Sequence, residues 1–242
     1  MNILAIGNSF SEDAMRYLHK LAETDKCKLT VVNLMIGGCS LERHYRNMQS
    51  GDSAYALEEN GENTGKTISL ADALSLRAWD VVTLQQASHF SFLKESYHPY
   101  LEELVGFVKE KCPNARVLMH GTWAYENGSK ALLERSPYKS FDEMLTDVKE
   151  AYACAAEGLG LSLIPSGELM GKLHGIGVSP LFRDGFHASL GIGRYALGLL
   201  WYRVLTGNSV KGNPFRDFDE PIDESTVALI QSTVEKIPPI LI

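Results

Sequence analysis

A serine hydroxyl becomes a nucleophile when an imidazole stands beside it, a carboxylate orients the imidazole, and N–H donors face the developing oxyanion. Residues able to fill those roles occur near both ends of this 242-residue chain. At the start, the apolar run Asn2-Ile3-Leu4-Ala5-Ile6 ends in Gly7-Asn8-Ser9, and an amphipathic segment from Glu12 to Ala22 follows. That pattern predicts a buried strand, a tight turn and a helix. Such a turn lifts Ser9 onto the carboxyl edge of a parallel sheet, where open α/β folds place their ligands. Backbone N–H groups of the helix start face the same space. At the other end, Asp184 and His187 stand three residues apart. Across one tight turn the carboxylate can accept from Nδ1–H and leave Nε2 free to face Ser9. Each piece also has a plainer reading. Gly-Asn-Ser can be turn chemistry with an N-cap, and Asp-x-x-His can be a turn whose carboxylate caps the next helix.

The elements between these ends decide whether the pieces can meet. Lys28 to Met35 reads as a second strand ending in Ile36-Gly37-Gly38-Cys39-Ser40, and Leu41 to Met48 as a short helix or turn. The polar stretch from Gln49 to Thr67, with Asn60-Gly61 inside it, is an excursion that fits a β-hairpin or an irregular loop. Ser69 to Arg77 reads as helix. Trp79 to Leu84 is a third strand running into Gln85-Gln86-Ala87-Ser88-His89, and Tyr97 to Lys111 carries apolar residues at helical spacing. Ala115 to His120 is the fourth strand. A loop reaches Arg135, and Ser136-Pro137 is expected to open a helix from about Tyr138 to Ala156. Leu161 to Pro165 is the fifth strand; helices follow at 166–173, 190–205 and 223–236. Alternating β and α elements with no repeat predict one domain over residues 1–242. The expected fold is an α/β class, three-layer α/β/α sandwich around a flavodoxin-like, five-stranded parallel sheet in the order 2-1-3-4-5. In that order Ser9, Gly38 and Gln86 should converge.

Composition narrows the function classes. A hydrophobic fraction of 45% and a charged fraction of 22% are those of an ordinary globular chain. The net charge of −7 argues against nucleic acid or an anionic membrane as partner, and gives no reason to expect an anionic substrate. Four widely spaced cysteines predict reduced thiols, Cys39 among them as a packed one. His44, His98, His120 and His174 have no metal-ligand spacing and read as surface or capping residues. Neither a metal nor a cofactor is expected. The start shows no secretory leader, so a cytoplasmic chain is expected, a removed leader being the other reading.

Gly7-Asn8-Ser9, Gly38 after the second strand, and Asp184-x-x-His187 before the last long helices together resemble the SGNH (GDSL-like) hydrolase superfamily over essentially the whole chain. Gly-Asn-Ser-Phe-Ser, Gly-Gly-Cys-Ser-Leu-Glu and Gln-Gln-x-Ser are similar to a sparsely characterised bacterial branch of it. The resemblance implies an acyl-enzyme mechanism without metal, with Ser9 as nucleophile, His187 as general base and Asp184 as its orienting partner. It also implies that the Ser9 and Gly38 N–H groups form part of the oxyanion hole. One block departs. Where the family has Gly-x-Asn-Asp, this chain reads Leu84-Gln85-Gln86-Ala87-Ser88-His89. A Gln amide has the donor chemistry of Asn, and strand alternation lets only one of Gln85 and Gln86 face a given side. Gln86 is therefore expected to be the third oxyanion donor, with His89 a weaker candidate.

Asn8, Gln85, His89, Trp123 and Tyr125 are the candidate substrate-binding residues. The aromatic ones suit an acyl or sugar platform, or core packing. The expected activity is that of a serine esterase on small acyl esters, acetyl esters of carbohydrates above all. Acyl transfer to a sugar hydroxyl and a non-catalytic carbohydrate-binding module are the alternatives.

Overall fold

The computed structural model describes residues 1–240. Strand β1 (Asn2–Gly7) sits at the centre of the sheet, with Ile3 to Ile6 wholly buried. A strand covered on both faces needs a continuous apolar run, which is why this one shows no alternation. It pairs in parallel with β2 (Thr30–Met35) on one side and β5 (Val81–Leu84) on the other. Beyond β5 lie β6 (Arg116–Gly121) and β7 (Ser162–Pro165), also parallel.

The sheet has seven strands rather than the five expected, in the order β4-β3-β2-β1-β5-β6-β7. The five parallel strands keep the expected sequence. The two additions are β3 (Tyr55–Glu59) and β4 (Glu62–Ile68), the hairpin read in the 49–67 excursion, which pairs antiparallel along the outer edge of β2. Asn60 and Gly61, both at positive φ, make its two-residue turn. An added hairpin covers an edge that would otherwise present unpaired backbone groups.

Helices flank the sheet. Helices α1 (Ser9–Met15), α2 (Leu18–Thr24), α9 (Ile192–Thr206) and α10 (Glu224–Glu235) pack together. Helix α9 is buried nearly all round, as its sequence requires. Helices α3 (Leu41–Ser50), α4 (Leu70–Ser75) and α5 (Tyr100–Lys111) form another group. Two boundaries differ from expectation. The segment from Glu12 to Ala22 is two helices with a break at Arg16 and Tyr17, where the Arg16 side chain pairs with Asp219 and Glu62 and the Tyr17 hydroxyl donates to the Leu190 carbonyl. The loop before Ser136 contains α6 (Lys130–Arg135), and α7 (Phe141–Leu159) is capped by Ser140 instead of opening at Ser136-Pro137. Helix α8 (Ser166–Gly175) follows β7. No helix among the described residues is long and apolar enough to cross a membrane.

Candidate active site

The carboxyl ends of β1, β2, β5 and β6 open onto a cavity of about 590 Å³. Asn8, Ser9, Phe10 and Glu12 of the first turn line it, with Met35, Gly37 and Gly38 after β2. Ser88, His89, Tyr125, Arg135, Phe186 and His187 complete the wall.

Ser9 is the first residue of α1, lifted into the cavity by the turn after β1. The Asn8 side chain caps that helix, accepting from Phe10 N–H at 3.0 Å, while Ser11 Oγ accepts from Asn8 N–H at 3.1 Å. Asn8 also donates through Nδ2 to the Cys39 carbonyl at 3.1 Å. That bond ties the nucleophile turn to the glycine loop after β2. In this loop Cys39 N–H donates to the Ile36 carbonyl, and Gly38, at φ +61°, occupies the position of the turn that a Cβ disfavours. Neither the Ser9 nor the Gly38 N–H has a hydrogen-bond acceptor among the described residues.

The 183–188 loop arrives from the far end of the chain. His187 Nε2 lies 2.9 Å from Ser9 Oγ, and its Nδ1 lies 2.6 Å from Asp184 Oδ2. A carboxylate can only accept, so Nδ1 carries the hydrogen and Nε2 is free to take the serine proton. Asp184 Oδ1 accepts from the backbone N–H of His187 at 2.9 Å, closing the Asp-x-x-His turn. Burial works against the charge on Asp184, yet the ring and backbone N–H groups of His187 bring its pKa below the usual carboxylate value. Gly185 in this turn has φ +89°, and a Cβ there would fall 2.6 Å from Ser129 Cβ.

A buried charge cluster holds the loop against the nucleophile helix. Asp13, one turn beyond Ser9, is 0% exposed. Its carboxylate accepts from Arg183 Nη1 at 2.8 and 2.9 Å, from Arg194 Nε at 2.8 Å and from Ala188 N–H at 3.1 Å. Arg183 and Ala188 are the neighbours in sequence of Asp184 and His187. Arg194 continues to Asp219, which Arg16 also holds, and the paired guanidinium of Arg16 lowers the Asp219 pKa to about 2. Sequence reading missed this cluster, although a lone Asp on the apolar side of a helix signals a buried partner.

Several expected site residues stand elsewhere. Gln86 does not line the cavity: Oε1 accepts from Leu41 and Ala87 N–H (3.0 and 2.9 Å), and Nε2 donates to the Ser96 carbonyl and hydroxyl (2.9 and 3.1 Å). The expected third oxyanion donor is thus committed to two loops. Gln85 is also buried. It donates to Asn8 Oδ1 at 2.6 Å and accepts from His120 Nδ1–H at 2.6 Å, and His120 Nε2 accepts from the Ser166 hydroxyl. Gln85 therefore supports Asn8 from beneath and meets no substrate. Trp123 is fully buried, stacked on Phe10 at 4.3 Å and donating to the Phe186 carbonyl at 2.8 Å. It is a floor for the site, not a platform.

Tyr125 and His89 do line the cavity, the Tyr125 hydroxyl sharing a hydrogen bond with Ser88 at 2.9 Å. His44 and His120 are buried rather than on the surface, and burial lowers the pKa of each to about 3. Burial likewise pushes the Cys39 thiol up to about 12, which leaves it protonated and inert. Among the described residues no three His, Cys, Asp or Glu side chains gather where they could hold a metal ion. Glu12, Ser88 and Arg135 were not expected. Glu12 was legible in principle, since a residue three past Ser9 on a helix shares its face.

A mostly parallel α/β sheet between helices, with a hydroxyl, an imidazole and a carboxylate in line at its carboxyl edge, defines a protein with the fold of the SGNH hydrolases. The chain belongs to the family described as Domain of unknown function (DUF4886), whose pattern matches residues 2–232. A DUF4886 family protein from Bacteroides uniformis is similar at 34% identity and TM-score 0.88, over 97% of this chain and 93% of that one. A protein from Slackia heliotrinireducens assigned to the SGNH hydrolases is similar at 25% identity and TM-score 0.59, over 84% and 97% of the two chains. An acetyl xylan esterase shares the fold at 15% identity and TM-score 0.53, over 85% and 100%. No curated protein matches the chain.

Proposed function

We propose that this protein is a serine esterase that hydrolyses small acyl esters, acetyl esters of carbohydrates in particular, through an acyl-enzyme on Ser9. One observation carries the reading: His187 reaches Ser9 Oγ with one ring nitrogen and Asp184 with the other, at 2.9 and 2.6 Å. Ser9 Oγ attacks the ester carbonyl carbon and its proton passes to His187 Nε2, while Asp184 holds Nδ1–H and stabilises the imidazolium. The carbonyl oxygen becomes an oxyanion facing the Ser9 and Gly38 N–H groups, which have no other acceptor among the described residues. Collapse breaks the bond to the alcohol oxygen, and the alcohol leaves with the proton from His187. Water then repeats the sequence on the acyl-enzyme and releases the acid. Ser88, His89, Tyr125 and Glu12 on the wall can hydrogen-bond the hydroxyls of an alcohol, while Phe10, Met35 and Phe186 give the cavity apolar surface.

Hydrolysis of p-nitrophenyl acetate tests this. Wild type should turn over, and Ser9→Ala or His187→Ala should lower kcat by about four to six orders of magnitude. Activity surviving in Ser9→Ala would contradict the reading, as would a wild type inert toward every small acyl ester.

A further inference from the structure

Two charged side chains in the cavity have no part in the ester chemistry. Glu12 lies one helical turn past Ser9, and its carboxylate accepts no hydrogen bond among the described residues. Burial raises its pKa, with neighbouring Asp13 adding to the rise. Arg135, the last residue of α6, belongs to the β5–β6 side with Ser88, His89 and Tyr125. Its guanidinium stands 5.6 Å from the centroid of the Phe186 ring, beside His187.

Arg135 pairs with no carboxylate among the described residues. The arginines behind the site are all engaged: Arg183 and Arg194 by Asp13, and Arg16 by Asp219. An exposed arginine on the wall of a catalytic cavity, with its guanidinium over the Phe186 ring and no carboxylate partner among the described residues, can present its planar donors to an anion from outside. Glu12 offers only acceptors, which suit hydroxyls. The cavity has the volume to take a sugar unit with its ester.

We propose that Arg135 makes this site selective for esters bearing a free carboxylate, an O-acylated sugar acid being the form that fits, with its carboxylate on Arg135 and hydroxyls toward Glu12. This rests on the esterase reading of Ser9 and names its substrate class. It also reverses the sequence-based expectation, since overall charge does not report the sign at the mouth of one cavity.

The carboxylate can sit on the alcohol or on the acyl side of the ester, and two substrate pairs separate these sources. One compares O-acetyl glucuronate with O-acetyl glucose; the other compares p-nitrophenyl hemisuccinate with p-nitrophenyl butyrate. Wild type should favour the glucuronate by about ten- to a hundredfold in kcat/KM, the worth of one charge-assisted contact. Arg135→Gln should bring that ratio to about one, and Arg135→Glu should invert it. A preference confined to the hemisuccinate, lost in Arg135→Gln, would keep the carboxylate site and move it to the acyl side. Ratios near one in wild type for both pairs, or ratios unchanged in Arg135→Gln, would overturn the inference. Calorimetry on Ser9→Ala covers the case in which no ester is turned over, a result that counts against the esterase reading alone. Tighter binding of glucuronate than of glucose, abolished by adding Arg135→Gln, supports the anion site. Equal binding of the two sugars overturns it.

Discussion

The side-chain amide of Gln86 has all its capacity taken up inside the protein. It joins the start of α3, through Leu41 N–H, to the loop after β5, through Ser96. Gln86→Ala would strand the buried Leu41 and Ala87 N–H groups and should lower stability by about 1–3 kcal/mol, read as a shift in the urea midpoint. Its kcat should not show the 10²–10³-fold loss expected on removing an oxyanion donor. A variant as stable as the parent but several hundredfold slower would return Gln86 to the oxyanion. The residue types at positions 9, 184 and 187 were legible because each sits in a turn whose chemistry is local. The partners of Gln86 lie 45 and 10 residues away in sequence, and no pattern around Gln85-Gln86 announces them. Arg135 was illegible for a related reason. It comes to the cavity on α6, a short helix within a stretch that reads as loop.

At the scale of elements, the site depends on how α1 meets the 183–188 loop. Asp13 performs that joining, and a charge at 0% exposure is tolerable only because two guanidinium groups and one N–H surround it. Asp13→Asn keeps the shape but leaves Arg183 and Arg194 undercompensated. We expect a stability loss of about 3–5 kcal/mol, the range found on breaking a buried pair. We also expect a fall in kcat with little change in KM, because His187 loses its register on Ser9 while the rest of the cavity keeps its walls. Measuring thermal unfolding beside steady-state kinetics separates the two effects. An Asp13→Asn enzyme with parental kcat at a temperature where it is fully folded would show that the cluster serves folding alone. At the break between α1 and α2 the Arg16 side chain holds Asp219, which Arg194 also binds. A continuous amphipathic pattern from Glu12 to Ala22 hides the break, and the side-chain partners found there, Asp219 and Leu190, lie far along the chain.

For the molecule as a whole, the order of the parallel strands follows from alternating β and α segments, and that order is what brings the ends of β1, β2, β5 and β6 to one cavity. The hairpin at 55–68 was legible as a turn through Asn60-Gly61, but its pairing to β2 was not, since strand composition does not name a neighbour. The central claim is that Ser9, near the amino terminus, is made nucleophilic by an imidazole 178 residues away. Intact-protein mass spectrometry after treatment with a fluorophosphonate tests it most directly. Wild type should gain one phosphonyl group, mapped to Ser9, while His187→Ala stays unlabelled under the same conditions. A folded wild type that takes up no label, or His187→Ala labelled at the wild-type rate, would contradict the account.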